Sequence, residues 1–298
     1  MNGIILLDKP AGITSFGAVS RMRKILNMKK VGHTGTLDPM ATGVLPILVG
    51  SATRFADYLP SGDKRYTALI KLGFATDTYD TTGEIISQRE VNCNFEEIEN
   101  ALMSFKGEIN QVPPMYSAVQ KDGVRMYELA RKGIEVERAP RKITVYSIKI
   151  LDYDEGENEL TVDIKCSKGT YIRSLAYDLG EKLGCGACLS GLRRTMACGF
   201  KLDDCYSLEE LQEYAENNRL EKRLMPIEDA LSFYAPIYVT DAQAKRFKNG
   251  GELALDRLKG KNYTDGYYRV FNNSGDFLGL GEADNKNMIL KVAKVFVC

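Results

Sequence analysis

Hydrophobic positions recur along the chain at two spacings, and they divide it into strands and helices. Residues 3–7 (GIILL) form a short apolar run, a buried strand, followed by the turn Asp8-Lys9-Pro10-Ala11-Gly12. Thr14 or Ser15 can cap a helix reaching about Met28, with Val19, Met22, Ile25 and Leu26 on its apolar face. Tyr66 to Leu72 alternates as a strand, and Phe95 to Phe105 carries Ile98, Ala101, Leu102 and Phe105 at helical spacing. Leu160 to Cys166 alternates again, and Tyr171 to Leu183 gathers Ile172, Leu175, Ala176, Leu179 and Leu183 on one side of a helix. Between Lys106 and Arg141 periodic runs are few and Pro113-Pro114 interrupts the chain, which predicts a surface excursion around one short helix near Met126–Arg131. Met225–Pro236 reads as a linker. Beyond it come a helix over Asp241–Lys248 and several short strands, with Asn273-Ser274-Gly275-Asp276 as a hairpin turn. The pattern predicts an α+β fold in two parts: residues 1–232, with a basic surface insertion at about 106–141, and a small mostly-β module over 233–298.

Length and composition support a chain that buries a core: 298 residues, 44% hydrophobic and 27% charged. No apolar run approaches the roughly 18–20 residues that a membrane span needs, and the N-terminal apolar stretch reads as a strand rather than a signal peptide. The expected location is cytoplasmic. Seven scattered cysteines, an odd number, predict reduced thiols. Cys185-Gly-Ala-Cys188 has C-x-x-C spacing but no second close pair, so buried small side chains are expected there rather than a metal site.

The net charge is zero, yet the charges are unevenly spread. Arg21, Arg23, Lys24, Lys29, Lys30 and Arg54 share their stretch with a single acid, Asp38. Lys121, Arg125, Arg131, Lys132, Arg138, Arg141 and Lys142 form a second basic run, whereas 201–232 is acidic. A polyanion-binding face with an acidic back would give this segregation; so would ordinary solvated helix faces.

The stretch least like plain scaffold is GHTGTLDPMATGVLPI, from Gly32 to Ile47, which holds the only histidine and the isolated Asp38. Asp38-Pro39 could simply begin a helix, with Asp38 as N-cap, and His33 could be a turn residue. A second oddity points elsewhere. In CSKGTYIRSLAYDLGEKLG, Thr170 is the natural N-cap, which puts Arg173 in the first turn against the helix dipole, a conflict of roughly 0.3–1 kcal/mol. A carboxylate facing that helix end would resolve it, and Asp38 is the one stranded among bases. Such a pair is expected to hold Asp38 ionised and lower its pKa.

At these residues the chain resembles the TruB family of bacterial tRNA pseudouridine synthases. The matching stretches are Leu7-Asp8-Lys9-Pro10 with Gly12, Gly32-His33-Thr34-Gly35, Leu37-Asp38-Pro39 and Ala41-Thr42-Gly43. They continue through Asp63-Lys64-Arg65-Tyr66, Leu72-Gly73, Thr76-Asp77-Thr78, Pro114-Met115-Tyr116-Ser117-Ala118, Cys166 to Arg173 and Leu192-Arg193-Arg194-Thr195. The resemblance implies a catalytic domain around a mixed, mainly antiparallel sheet, followed by a PUA-like RNA-binding domain. It implies isomerisation of uridine 55 in the T loop of tRNA, with Asp38 as the catalytic aspartate. The carboxylate would add to uracil C6, attack C1′ or take a C2′ proton, and residue types do not choose among these. Tyr66 matches the tyrosine stacking on the uracil, Tyr171 and Leu192 match pocket positions, Arg173 the partner of the aspartate, and His33 a residue contacting the loop. Lys9 and Pro10 match a motif supporting the active-site loop. Cys188 stands where many relatives have a histidine. The implied partner is the T loop and T stem of tRNA, bound by a monomer with no cofactor, metal or membrane. A non-catalytic tRNA-binding or folding protein is the alternative, and an aspartate-dependent hydrolase of a small substrate is a third reading.

Overall fold

The computed structural model describes residues 1–60, 62–117, 120–121, 123–130, 132–134, 136–260 and 263–297. Ala118, Arg131 and the side chains of Lys121 and Arg125, named above, lie outside that description. The strands in chain order are β1 (Gly3–Lys9), β2 (Val31–His33), β3 (Thr42–Val49), β4 (Lys64–Leu72), β5 (Phe74–Thr76), β6 (Ile85–Gln88), β7 (Gly107–Gln111), β8 (Gln120–Lys121) and β9 (Val124–Arg125). They continue as β10 (Arg141–Asp154), β11 (Glu159–Cys166), β12 (Ala187–Ala197), β13 (Phe200–Lys201), β14 (Pro236–Tyr238), β15 (Leu253–Ala254), β16 (Gly266–Phe271), β17 (Phe277–Asp284) and β18 (Ile289–Val295). The helices are α1 (Ser15–Ile25), α2 (Phe95–Met103), α3 (Met126–Ala130), α4 (Ile172–Leu183), α5 (Leu208–Glu216), α6 (Ile227–Ala230) and α7 (Asp241–Lys248).

The main sheet runs β1-β3-β12-β4-β11-β10-β7, with β2 also on β3 and β13 on β12. Every pairing in it is antiparallel except β3 with β12, where Thr42 and Gly43 lie beside Arg193 and Arg194. The sheet is therefore mixed and mainly antiparallel. Gly43 makes that junction possible: its φ is 103°, and a Cβ there would lie 2.2 Å from the Arg194 carbonyl oxygen. The alternation seen in sequence decides which face is dry. Tyr66, Ala68, Ile70 and Leu72 of β4 pack with Leu160, Val162, Ile164 and Cys166 of β11 under α2 and α4. At the β1–β3 end the sheet is covered on both sides. Ile5 and Leu7 pack under α1 and α5, while Ile4 and Leu6 meet α6 and the apolar face of the second sheet. That second, five-stranded sheet has the order β14-β16-β17-β18-β15 and packs over α7, forming the small β domain.

Several expectations need correction. β7 belongs to the main sheet, paired with β10 from Gln111–Arg141 to Gly107–Val145, so the excursion begins only after it. Met225–Pro236 is not a free linker: Met225 bridges to Ile4, and Ile227 and Leu231 are buried. The cap of α4 is Tyr171, one residue beyond Thr170, and it makes no side-chain cap bond. The buried Gln111 instead holds Tyr171 by both its N–H and its carbonyl, at 2.8 and 3.0 Å. Nor is the acidic segment set apart from the first basic one. Val19 and Met22 of basic α1 pack against Leu208 and Leu211 of acidic α5, because burial of the two apolar stripes outweighs any sorting by charge.

Candidate active site

Asp38 sits in the loop between β2 and β3, and it starts no helix; residues 38–41 form a bend in which the Ala41 N–H donates to the Asp38 carbonyl at 3.1 Å. The helix-cap reading is thereby excluded. Three groups pin this loop from below. The buried Ser15 hydroxyl accepts from Leu37 N–H at 2.8 Å and donates to the Leu37 carbonyl at 3.1 Å. Lys9, fully buried, donates to the carbonyls of Pro10 and Ile13 at 2.8 Å and reaches that of Pro39 at 3.4 Å. Arg194, also buried, donates to the carbonyls of Val44, Thr36 and Gly35 at 2.8, 3.3 and 3.2 Å. Burial pushes the Lys9 ammonium down to about 8, against the pull of Asp38.

Arg173 enters from the first turn of α4, as the dipole conflict predicted. Its Nη2 donates to Asp38 Oδ1 at 3.1 Å and to the Tyr116 carbonyl at 2.8 Å, and its Nη1 donates to the Thr78 carbonyl at 3.1 Å. Nε lies 2.9 Å from Asp38 Oδ2 but off the N–H direction, so that approach is a charge contact rather than a hydrogen bond. Nη1 also faces Asp80 at 3.5 Å. The guanidinium side chain is 6% exposed, whereas a third of the Asp38 side chain faces solvent. Asp38 is thus held from behind and presented outward.

The expected fall in its pKa does not occur. Burial, with help from Asp80, raises the Asp38 carboxyl above its ordinary value, against the opposing pull of Arg173 and Lys9. The expectation counted the partner's charge and omitted the lost water.

Of the other named residues, Tyr66 and Tyr171 lie within reach of the Asp38 charge, while Leu192 and His33 meet the neighbouring cluster and loop. Tyr66 is 6% exposed, lies opposite Arg194 in the β4–β12 register, shares a hydrogen bond with it, and has a hydroxyl pushed up to about 12 by burial. Leu192 packs on the same apolar cluster as Tyr66 and Leu37. The Tyr171 hydroxyl bonds Ser117 and feels both Arg173 and Asp38; burial raises its pKa. His33 turns back on its own loop, Nδ1 accepting from Gly35 N–H at 3.2 Å. Burial and then Arg194 lower its pKa, so it is a neutral acceptor in the loop.

Asp80 and the loop-pinning role of Arg194 escaped the sequence reading. Asp80 is buried between threonines, accepting from Thr78 Oγ1, Thr82 N–H and Thr82 Oγ1. The run Thr76-Asp77-Thr78-Tyr79-Asp80-Thr81-Thr82 was the available signal: an acid among hydroxyls. Cys185 and Cys188 are buried, with the Cys188 thiol pushed up to about 12, which fits the small-side-chain reading. Among the described residues no three metal-ligating side chains gather. Cavities of about 430 Å³ beside Leu6, Tyr206 and Arg223 and about 300 Å³ between α1 and α5 lie away from Asp38. The carboxylate is reached from open solvent, an arrangement suited to a large substrate more than to an enclosed small one.

Comparison with known proteins addresses the same residues. The family model for the N-terminal domain of TruB family pseudouridylate synthases matches residues 23–172. Models for the tRNA pseudouridylate synthase B C-terminal domain and for the pseudouridine synthase II TruB C-terminal region match 173–232 and 235–290. A tRNA pseudouridine synthase B of Clostridium kluyveri is 44% identical over 297 residues, covering 100% of both chains. That of Clostridium perfringens is 45% identical over 293 residues, 98% of each. Among solved structures, a chain of a Cbf5-Nop10-Gar1 complex superposes with a TM-score of 0.74 at 29% identity, covering 99% of this chain and 85% of its own.

Proposed function

The chain belongs to the TruB family of pseudouridylate synthases, and on that premise we propose that Asp38 is the carboxylate with which it isomerises uridine 55 in the T loop of tRNA. The enzyme is an isomerase acting on tRNA. In the reaction the N1–C1′ bond breaks, the base turns, and C5 bonds to C1′; C5 gives up a hydrogen and N1 gains one. The balance closes without an oxidant, reductant or transferred group.

The observation that carries the proposal is the presentation of Asp38: fixed by Arg173 and by a loop pinned through Ser15, Lys9 and Arg194, yet open to solvent. Addition to C6, attack on C1′ and removal of the C2′ proton all need an ionised, immobile carboxylate. Arg173 favours ionisation, and burial makes the ionised group more basic than an ordinary aspartate. A stacked base must be flipped to reach it, with aromatic contact replacing lost stacking. In this reading Tyr66 takes the uracil face, Tyr171 and Leu192 wall the pocket, and His33 contacts the loop. Residues 1–232 form the catalytic domain, and 233–298, read as PUA-like, add RNA contacts. The protein works as a monomer in the cytoplasm; no described helix is long and apolar enough to cross a membrane.

The test is incubation with tRNA tritiated at uridine C5. The wild type is expected to release label in proportion to pseudouridine formed, and Asp38→Asn to release none. Tight binding of tRNA without any release by the wild type would instead identify an RNA-binding protein.

A further inference from the structure

Lys64 stands at the start of β4, two residues before Tyr66 and therefore on the same face, about 7 Å further along the strand. Its ammonium and the Arg194 guanidinium converge on one point of the Asp38 loop. A Cβ on Gly35 would lie 3.8 Å from Arg194 Nη1 and 4.0 Å from Lys64 Nζ. Neither charge is balanced there. Arg194 donates to the carbonyls of Val44, Thr36 and Gly35, which are neutral. Among the described residues no hydrogen-bond acceptor or carboxylate engages Lys64. Asp63, next to Lys64 in sequence, is taken by Lys165 at 3.0 Å, and Asp38, in the loop that holds Gly35, by Arg173 at 2.9 Å. Burial of Lys64, and then the facing Arg194, hold its pKa below the ordinary value against a smaller opposing pull from Cys166 and Cys198.

Two half-buried or buried cations over a backbone loop make an anion subsite, and its position fixes the anion's chemistry. Given the reading that Asp38 acts on a uridine in RNA, we infer that Lys64, with Arg194 behind it, binds the phosphodiester adjoining the flipped nucleotide. The diester would sit over Gly35, whose missing side chain leaves room for oxygens beside both cations. Lys64 is then a positioning residue: it sets the register of the strand so that the neighbouring uracil meets Tyr66 and Asp38.

Binding of a T-arm RNA is measured against salt for the wild type, Lys64→Met, Lys64→Gln, Lys64→Arg and Gly35→Ala, with urea midpoints as folding controls. Losing one phosphate contact should flatten the slope of log affinity against log salt by about 0.7–0.9 in both neutral variants. Their affinity should fall about tenfold near 0.1 M salt. Lys64→Arg should restore slope and affinity. Gly35→Ala, which meets its neighbours only at ordinary contact distances, should fold normally and weaken binding by covering the cations. Wild-type slope and affinity in folded Lys64→Met or Lys64→Gln would overturn the subsite, even if tritium release proceeds. Conversely, a flattened slope in a protein that releases no tritium would retain the phosphate contact and reject the isomerase reading.

Discussion

Replacing Arg173 with alanine tests the central pair most sharply, because the structure shows what would be left behind. The side chain is 6% exposed and is the donor to Asp38 Oδ1, Tyr116 O and Thr78 O, and it also faces Asp80. Breaking a buried pair by removing one partner costs about 3–5 kcal/mol. Asp38 is a third open to water and both carbonyls are only partly buried, so the lower end applies, about 3 kcal/mol. That is a large part of the roughly 5–15 kcal/mol that holds a domain together, but the protein should still fold. Catalysis should suffer more than stability. Misplacing a reacting group by about 1 Å costs on the order of a hundredfold, so single-turnover tritium release should fall at least that much while tRNA affinity stays within about threefold. The pH dependence gives a second readout. Arg173 is the largest influence lowering the Asp38 pKa, so its removal moves the acid limb of the rate profile to higher pH, and residual activity should climb further into the alkaline range. Arg173→Lys keeps the charge without the fork and should recover the limb better than the rate. A folded Arg173→Ala enzyme with single-turnover rates within threefold of wild type at every pH would refute the reasoning.

Three further outcomes are expected. Asp38→Asn should bind tRNA, release no tritium and lose less stability than Arg173→Ala, because an amide oxygen can still accept from Nη2 and Asp80 still faces the guanidinium. A carboxyl whose folded pKa is raised opposes folding above that pKa, an effect that fades as pH drops towards the unfolded value. The deficit of Asp38→Asn in urea midpoint should therefore be smaller at pH 7 than at acid pH, and a larger deficit at pH 7 would contradict this. Tyr66→Phe should keep RNA binding, and Tyr66→Ala should weaken engagement of the base by about 1–3 kcal/mol; lost turnover in the Phe variant would assign the hydroxyl a proton-transfer role, and full activity in the Ala variant would remove both roles. Lys9 has its folded pKa lowered to about 8 from 10.5, so its contribution to stability is complete above 10.5 and declines as pH falls through about 8. Urea midpoints of wild type relative to Lys9→Met should therefore rise between pH 8 and 10, and a flat difference would mean that the three carbonyls and Asp38 fully offset the cost of burying the ammonium.

The parts legible from sequence were those whose period is local. α1, α2, α4, α7, β1, β4 and β11 follow from spacing, and the hairpin turn at 272–276 from its Asn, Ser and Gly. β3 escaped because it is almost wholly buried and interrupted by Pro46, so it shows neither alternation nor strand-like ends. β12 escaped because Gly191 and two arginines occupy its middle; their reasons lie in partners 150 residues away, such as Val44 for Arg194. The Asp38–Arg173 contact spans 135 residues, yet a local conflict exposed it: a cation in a first helical turn that nothing nearby excused. The sign of the Asp38 shift was not legible, since desolvation depends on every element packed around the loop and charge counting sees only one neighbour.

The two-sided covering of β1 also bears on how the molecule is made. Ile4 and Leu6 find their apolar neighbours in Phe277, Leu280 and Phe296, at the far end of the chain. At about 5–20 residues per second, the 273 positions from Ile4 to Phe277 represent roughly 15–55 s of synthesis. Until α6 emerges, that flank of the earliest strand has only the 50–59 segment beside it, and its closure by the second sheet is a contact of very long sequence separation. A ribosome stalled before β17 would leave Ile4, Leu6, Leu48 and Phe55 without the strands that complete their cluster. Holdase capture of nascent chains should accordingly persist until the last two strands emerge, and then drop abruptly.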